Sequence, residues 1–408
     1  MIFVFYLFAA LLIWLSFRSF RGGVKYLRFF QSELARPRPE DTPFVTVIAP
    51  CRGLDEGLRE NLRAVVGQDY PDYEVIFVVD DPSDEAVRTI EEVCLEAEQR
   101  TINARLVIAK KATDSSQKVE NLCEAVLHAS ERSEALAFVD SDVRPAHDWL
   151  GSIVGPLNDP YVGAATGYRW FISDRTTFAS ELRSVWNASI ASSLGPQSES
   201  NFCWGGSWAI RRDVFERIDM RQRWRGTLSD DLAVTRALKE HRLPIVFVPK
   251  ALTASLGNCT FDEMLEFTTR QMKITRVYAP ALWLVSLVGS AIFIGVLSTA
   301  VYLVLSSDDL AAMAVASATL LLVAGFSAAK SWLRLKAIKL ALPDYKTELD
   351  RQNWTQNTLW LLTPAIFLYN DIAAAFSRTV RWRGTTYVLK SPNETVIIAP
   401  SELGNERK

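Results

Sequence analysis

Ala135-Leu136-Ala137-Phe138-Val139-Asp140-Ser141-Asp142 is a run of five apolar residues closed by two carboxylates one residue apart. An apolar run of this length, ended by polar residues, reads as a buried strand. The same pattern stands upstream at 74–79, a strand-like stretch that is apolar from Val75 onward and closed by Asp80-Asp81. Further strand-like runs lie at 45–49, 105–109 and 245–248, while 84–99 and 118–130 carry apolar residues at helical spacing. Strands alternating with amphipathic stretches predict βαβ units and an α/β fold with a mostly parallel sheet over 44–278. Ligands of such sheets sit beyond the carboxyl ends of the strands, which gives weight to acidic residues placed just after a strand.

Both flanks of this region are apolar. Residues 2–17 carry no charge and fall a little short of the roughly 20 residues that span a bilayer. No basic region precedes them and no small-residue cleavage site follows, so they read as an anchor rather than a signal peptide. Arg18, Arg21, Lys25 and Arg28 come next, and cations beside a span favour the cytoplasmic side. Segments 281–305 and 310–329 are each long enough to cross. The break between them, 306–309, has no Lys or Arg, whereas Lys330, Arg334, Lys336 and Lys339 follow the second, so the two form a hairpin with its tip outside. Segment 359–376 is interrupted by Pro364, Asn370 and Asp371 and is expected to be re-entrant or interfacial. The expected organisation is an N-terminal transmembrane anchor (1–22), a juxtamembrane linker (23–43) and a cytoplasmic catalytic domain (44–278). A transmembrane hairpin (279–330), an amphipathic linker with the re-entrant or interfacial segment (331–376) and a cytoplasmic tail (377–408) follow, making an integral membrane protein in contact with the lipid bilayer.

Composition narrows the chemistry. The 45 Lys and Arg balance 47 Asp and Glu, which is not the basic footprint of a nucleic-acid binder, and no nucleic-acid partner is expected. Five scattered cysteines, an odd number, read as reduced thiols. The three histidines make no His-x-x-x-His pair that would suit zinc, so activation of a hydroxyl falls to carboxylates.

Three acidic clusters stand out. Asp80-Asp81 closes a strand, where an Asp pair serves equally as a turn or helix cap. Asp140 and Asp142 point to one side by strand alternation. Such a pair suits a hard cation, Mg2+ or Mn2+, which needs few protein oxygens when a diphosphate supplies others, although Asp-x-Asp also arises by chance. Asp230-Asp231 follows Ser229 and opens an amphipathic stretch running to His241, a pattern that simple helix capping also explains. Three such clusters along one α/β domain are what inverting sugar transfer requires: one for the nucleotide, one for the metal, one to accept the acceptor's proton.

The run Gln68-Asp69-Tyr70-Pro71-Asp72-Tyr73-Glu74-Val75-Ile76-Phe77-Val78-Val79-Asp80 resembles the opening of family 2 glycosyltransferases, and more narrowly of ceramide glucosyltransferases. Gln117-Lys118-Val119-Glu120-Asn121-Leu122 resembles that family's lysine- and asparagine-containing motif, Asp140-Ser141-Asp142 its second aspartate motif, and Gly205-Gly206-Ser207-Trp208-Ala209-Ile210-Arg211-Arg212-Asp213 the segment before its third aspartate. Val380-Arg381-Trp382-Arg383-Gly384 is similar to a carboxy-terminal signature of bacterial members, including hopanoid-associated ones. The resemblance implies a GT-A-like nucleotide-binding domain in a bacterial inner membrane. It implies inverting transfer of a sugar from a nucleotide-sugar donor, UDP-glucose foremost, to the hydroxyl of a membrane lipid acceptor such as ceramide. Carried over residue by residue, it puts Asp80 on the uridine, Lys118 near the donor, Asp140 and Asp142 on diphosphate and metal, and Asp231 as the catalytic base. Gly206 and Asp230 become acceptor or diphosphate candidates. The family's final motif, Gln or Arg followed after two residues by Arg-Trp, is not matched, because Gln271 is followed by Met272-Lys273-Ile274-Thr275. Gln271, Lys273 and Arg276 are therefore candidates for the acceptor or diphosphate, or else a juxtamembrane basic collar. Two rival readings are a processive polysaccharide synthase of the cellulose or hyaluronan kind, for which few spans are present, and a catalytically inactive membrane scaffold that binds nucleotide sugar or lipid, against which the intact carboxylates weigh.

Overall fold

A computed structural model describes residues 2–37 and 41–398, which form two compact units. One comprises Glu33–Ile172, Ser193–Gly257 and Arg378–Lys408 and holds a seven-stranded sheet of order β3-β2-β1-β4-β6-β5-β7. Its strands are β1 (Val45–Pro50), β2 (Tyr73–Val79), β3 (Asn103–Ile108), β4 (Ala135–Val139), β5 (Ala164–Ile172), β6 (Ser207–Arg211) and β7 (Ile245–Leu256). β1 pairs in parallel with β2 on one side and β4 on the other. β4 is apolar throughout and β2 is apolar but for Glu74, which Arg105 pairs at 2.7 Å, because both faces are covered. Val75, Phe77, Ala137 and Val139 enter one core layer, and Ile76, Val78, Leu136 and Phe138 the other. This is the doubly wound arrangement that the uninterrupted apolar runs predict.

The strand order reverses on either side of β1, so the carboxyl ends of β1, β2 and β4 open a crevice of the kind in which α/β sheets bind ligands. β6 is antiparallel to β4, with Val139 opposite Ser207, and brings the preceding Gly205-Gly206 to the same edge. β5, antiparallel to β6 and parallel to β7, carries its own carboxyl end there too. Neither β5 nor β6 stood out in the sequence. A glycine interrupts β5: a Cβ on Gly167 would collide with the Ala251 carbonyl, and the ladder with β7 shifts register at this point. The helices Gln117–Leu127 and Asp230–Glu240 start at this edge, capped by the side chains of Ser116 and Ser229.

After the other unit the chain returns as a small antiparallel sheet, β8 (Thr379–Trp382), β9 (Thr385–Ser391) and β10 (Glu394–Ile398). It closes on the first unit through named contacts. The Tyr387 hydroxyl accepts from the Gln117 backbone N–H (3.3 Å), Arg52 donates to Thr385 Oγ1 (3.3 Å), and Arg236 donates to Asn393 Oδ1 (3.4 Å).

The other unit, Met1–Ser32, Ser173–Ser192 and Asn258–Ser377, is helical among its described residues. Three helices, Ile2–Leu34, Pro280–Ser306 and Leu310–Ala341, are long and apolar enough to cross a membrane. At about 1.5 Å per residue each exceeds the roughly 30 Å hydrocarbon core. Phe5, Ala9 and Leu12 pack with Val296, Ala300, Ala316 and Val323. The first helix continues through its basic stretch to Leu34, because Tyr26, Leu27 and Phe30 recur at helical spacing and are buried. Asn353–Leu361 and Thr363–Phe376 form a pair bent by 55°, where Pro364 opens the second helix and cannot continue the hydrogen bonding of the first. Asn370 and Asp371, both buried, accept from Thr269 Oγ1 (2.7 Å) and Ser286 Oγ (2.8 Å).

Candidate active site

At the carboxyl edge of the sheet a single ammonium joins three chain segments. Lys118, at the start of its helix, places Nζ 2.7 Å from Asp140 Oδ1 and 3.2 Å from Asp230 Oδ1, and donates to the Gly205 carbonyl at 3.3 Å. Arg169, from β5, bridges the two carboxylates after β4. Its guanidinium lies 2.9 Å from Asp142 Oδ2 and 3.2 Å from Asp140 Oδ2, and its face rests 4.7 Å from the centre of the Trp204 ring. Ser141 donates to Asp55 Oδ2 at 3.0 Å and ties the β4 turn to the loop after β1. A Cβ on Gly205 would stand 2.8 Å from both Lys118 Nζ and Asp230 Oδ2, and one on Gly206 would reach Asp140 Oδ2 at 2.7 Å. Both positions therefore need glycine for close approach.

Burial works against the charge of Lys118, but Asp140, Asp230 and Asp231 outweigh it and hold the ammonium protonated more firmly than usual. Burial likewise works to raise Asp142, yet Arg169 and then Arg383 keep its carboxyl below the ordinary range. Asp230, only 3% exposed, is pushed up to about 7 by burial, with Lys118 opposing and Asp231 and Asp140 adding. Its neighbour differs. Asp231 is half-buried, and its oxygens are aimed by the Gly205 N–H (3.1 Å to Oδ2), the Leu232 N–H (2.8 Å to Oδ1) and the Ser229 hydroxyl. A carboxylate oriented in this way and open to solvent can take a proton from a substrate hydroxyl; a sealed one cannot.

Lys118, Asp140, Asp142, Gly206, Asp230 and Asp231 are thus brought together. Asp80 ends β2 at the same edge and pairs with Lys111 Nζ at 2.8 Å. Gln271, Lys273 and Arg276 lie on Phe261–Tyr278 of the other unit, where Lys273 donates to Ser377 Oγ at 3.3 Å and Arg276 to the Ala374 carbonyl. Among the described residues no three His, Cys, Asp or Glu side chains cluster as a metal site. Asp142 Oδ1, however, is buried with no hydrogen-bond partner. Arg169, Trp204, Asp55 and Lys111 drew no notice in the sequence. Arg169 had a legible signal, being the one charged residue in a nine-residue strand, and a charge buried there needs partners.

A family description, glycosyl transferase family 21, matches residues 11–395. The ceramide glucosyltransferase of Candida albicans is 30% identical over 126 residues, covering 28% of this chain and 22% of that protein. The alignment therefore spans about a fifth of that relative's length. Among solved structures, the mannosyltransferase PcManGT from Pyrobaculum calidifontis, in complex with GDP-Man and Mn2+, superposes with a TM-score of 0.44 at 18% identity, covering 90% of this chain and 98% of that one. S. aureus TarS 1-349 in complex with UDP-GlcNAc gives 0.38 at 12%, covering 88% and 99%.

Asp230 yields a pH prediction. Its folded value of about 7 lies above the ordinary carboxyl value, so between pH about 4 and 7 the folded chain holds this proton more tightly than the unfolded one. Its contribution to stability therefore falls as pH rises through that window. Thermal melts of Asp230→Asn should lose that part of the pH dependence; a slope identical to that of the parent protein contradicts the assignment.

Proposed function

The chain belongs to glycosyl transferase family 21, and from that premise we propose that it moves a hexose, glucose foremost, from a UDP-sugar to the hydroxyl of a membrane lipid such as ceramide, inverting the anomeric carbon. The observation that carries this reading is the pairing of an oriented, half-exposed Asp231 with the Lys118–Asp140–Arg169–Asp142 cluster beside it. Asp231 takes the proton of the acceptor hydroxyl, that oxygen bonds to the anomeric carbon, and the bond from this carbon to the diphosphate oxygen breaks on the opposite face. The electron pair leaves with the nucleoside diphosphate. One displacement suffices and no sugar is held covalently. We assign Asp80, which follows β2, to the uridine, as the family resemblance implies. The ceramide preference takes its support from the partial match to a protein of that name.

Asp140 and Asp142 fit a divalent cation by their chemistry: two carboxylates, one with an unpartnered buried oxygen, suit Mg2+ or Mn2+ when the donor's diphosphate completes the shell. Bound there, such an ion would act as a Lewis acid that offsets charge on the departing diphosphate. Arg169 pairs with both carboxylates and offsets part of their charge.

The three apolar helices support anchoring in a bilayer, bacterial inner membrane by the family resemblance. We place the catalytic unit on the cytoplasmic face, with 359–376 returning to the side it came from. The hydrogen bonds that close β9 on Gln117 and Arg52 support this, since a full crossing there would part the tail from its own unit.

Asp231→Asn should cut lipid-linked product by on the order of 10² to 10⁴ while donor binding persists, because the amide keeps the shape but accepts no proton. Membranes incubated with a panel of radiolabelled nucleotide sugars and extracted for lipid provide the readout, and undiminished turnover would remove Asp231 from the mechanism. The same assay should stop on exhaustive chelation and resume with Mn2+; full activity without metal would leave Asp140-Ser141-Asp142 as a strand-end turn. Single cysteines at Ser307 and Ser391, in a background freed of native cysteines, test topology with an impermeant thiol reagent on intact cells. Labelling at Ser307 alone is expected, and labelling at Ser391 contradicts the re-entrant path.

A further inference from the structure

The turn between β8 and β9 places an arginine where the backbone resists one. Trp382 pairs with Thr385, leaving a two-residue loop, Arg383-Gly384, with φ of +48° and +78°. Both positions of such a loop require the left-handed region, and Asn-Gly or Asp-Gly are the residues that enter it readily. An arginine there is uncommon, and strained backbone of this kind concentrates at functional sites. The side chain explains the choice. Arg383 Nη2 donates to Asp55, the carboxylate that Ser141 also bonds, so the hairpin tip reaches the Asp140-Ser141-Asp142 turn through one intermediary. The Arg383 charge acts on Asp142 and Asp140 as well as on Asp55.

A diphosphate brings two or more negative charges into this crevice, and the three cations that pair with the strand-end and helix-start aspartates are committed to them. Lys118, 14% exposed, serves Asp140 and Asp230; Arg169, 11% exposed, serves Asp140 and Asp142; Lys111 is shared between Asp80 and Asp81. Arg383 is 40% exposed, and among the described residues Asp55 is its one ion-pair partner, met through one nitrogen of a five-donor fork. That fork matches the oxygens of a phosphate.

We propose that Arg383, carried to the carboxyl edge by the C-terminal hairpin, binds the diphosphate of the nucleotide-sugar donor and stabilises it as it leaves. The inference rests on the donor reading given above. The hairpin is then part of the donor site and not an appendage.

Equilibrium binding of UDP, with GDP in parallel, and of uridine to the purified full chain in detergent with Mn2+ tests the inference. Loss of a charge-assisted contact should weaken UDP binding by Arg383→Ala about 10- to 100-fold, with uridine affinity unchanged and Arg383→Lys between the two. Asp55→Asn, which keeps an oxygen for the guanidinium to bond and removes only the charge, should cost UDP affinity less than Arg383→Ala does. Equal affinity of the parent protein and Arg383→Ala for UDP overturns the inference alone. Matching losses for UDP and uridine, or a loss in Asp55→Asn as large as in Arg383→Ala, also overturn it, because they mark a purely structural ion pair. Failure of the parent protein to bind either diphosphate overturns the donor reading itself.

Discussion

One buried ammonium organises the edge of the sheet on which the rest depends. A lysine so enclosed is tolerable only with its charge compensated. Asp140 and Asp230 compensate it from two different elements, and the Gly205 carbonyl adds a third bond. The reverse holds for Asp230, whose one ion-pair partner among the described residues is Lys118, whereas Asp140 also has Arg169; breaking a buried pair by removing one partner typically costs about 3–5 kcal/mol. The end of β4, the approach to β6 and the helix that begins at Asp230 are therefore locked together by one mutual requirement. Gly205 and Gly206 follow from it, since any larger residue would occupy the space that the ammonium and its partners fill.

The two acidic residues that open the helix Asp230–Glu240 divide the work according to burial. Asp230 faces inward and serves as Lys118's counter-charge; Asp231, one residue on, turns outward and is held by two backbone N–H groups and a hydroxyl. Helix capping and chemistry are thus compatible at this point, because Ser229 caps the helix and orients Asp231 at once. The same economy appears across the sheet, where Arg169 both satisfies the Asp140–Asp142 pair and packs on Trp204.

The strands whose side chains are buried on both faces were legible from sequence, because a doubly covered strand is apolar along most of its length; β1, β2 and β4 are of this kind, with Thr46 and Glu74 the polar exceptions, bonded to each other. The aspartates after β2 and β4 were legible for the same reason, as abrupt charge after such a run. β5 and β6 were not. Gly167 interrupts the apolar run of β5 and the Gly205-Gly206 pair precedes β6, and both mark contacts too close for any side chain, which spacing does not report. The partners of Arg169 and Arg383 were hidden by distance: they lie 27 and 328 residues away, and neither local periodicity nor spacing reports a contact made by folding. The first helix outran its expected end because charge was weighed over the apolar spacing that persists to Phe30.

The central claim is a single displacement assisted by Asp231, and its stereochemistry tests it most directly. The purified protein, given an α-linked UDP-sugar and acceptor lipid in vesicles, would yield a glycolipid whose anomeric configuration is read by proton NMR. The account predicts the β anomer. An α-linked product would mean retention, require a different chemical course, and contradict the role given to Asp231.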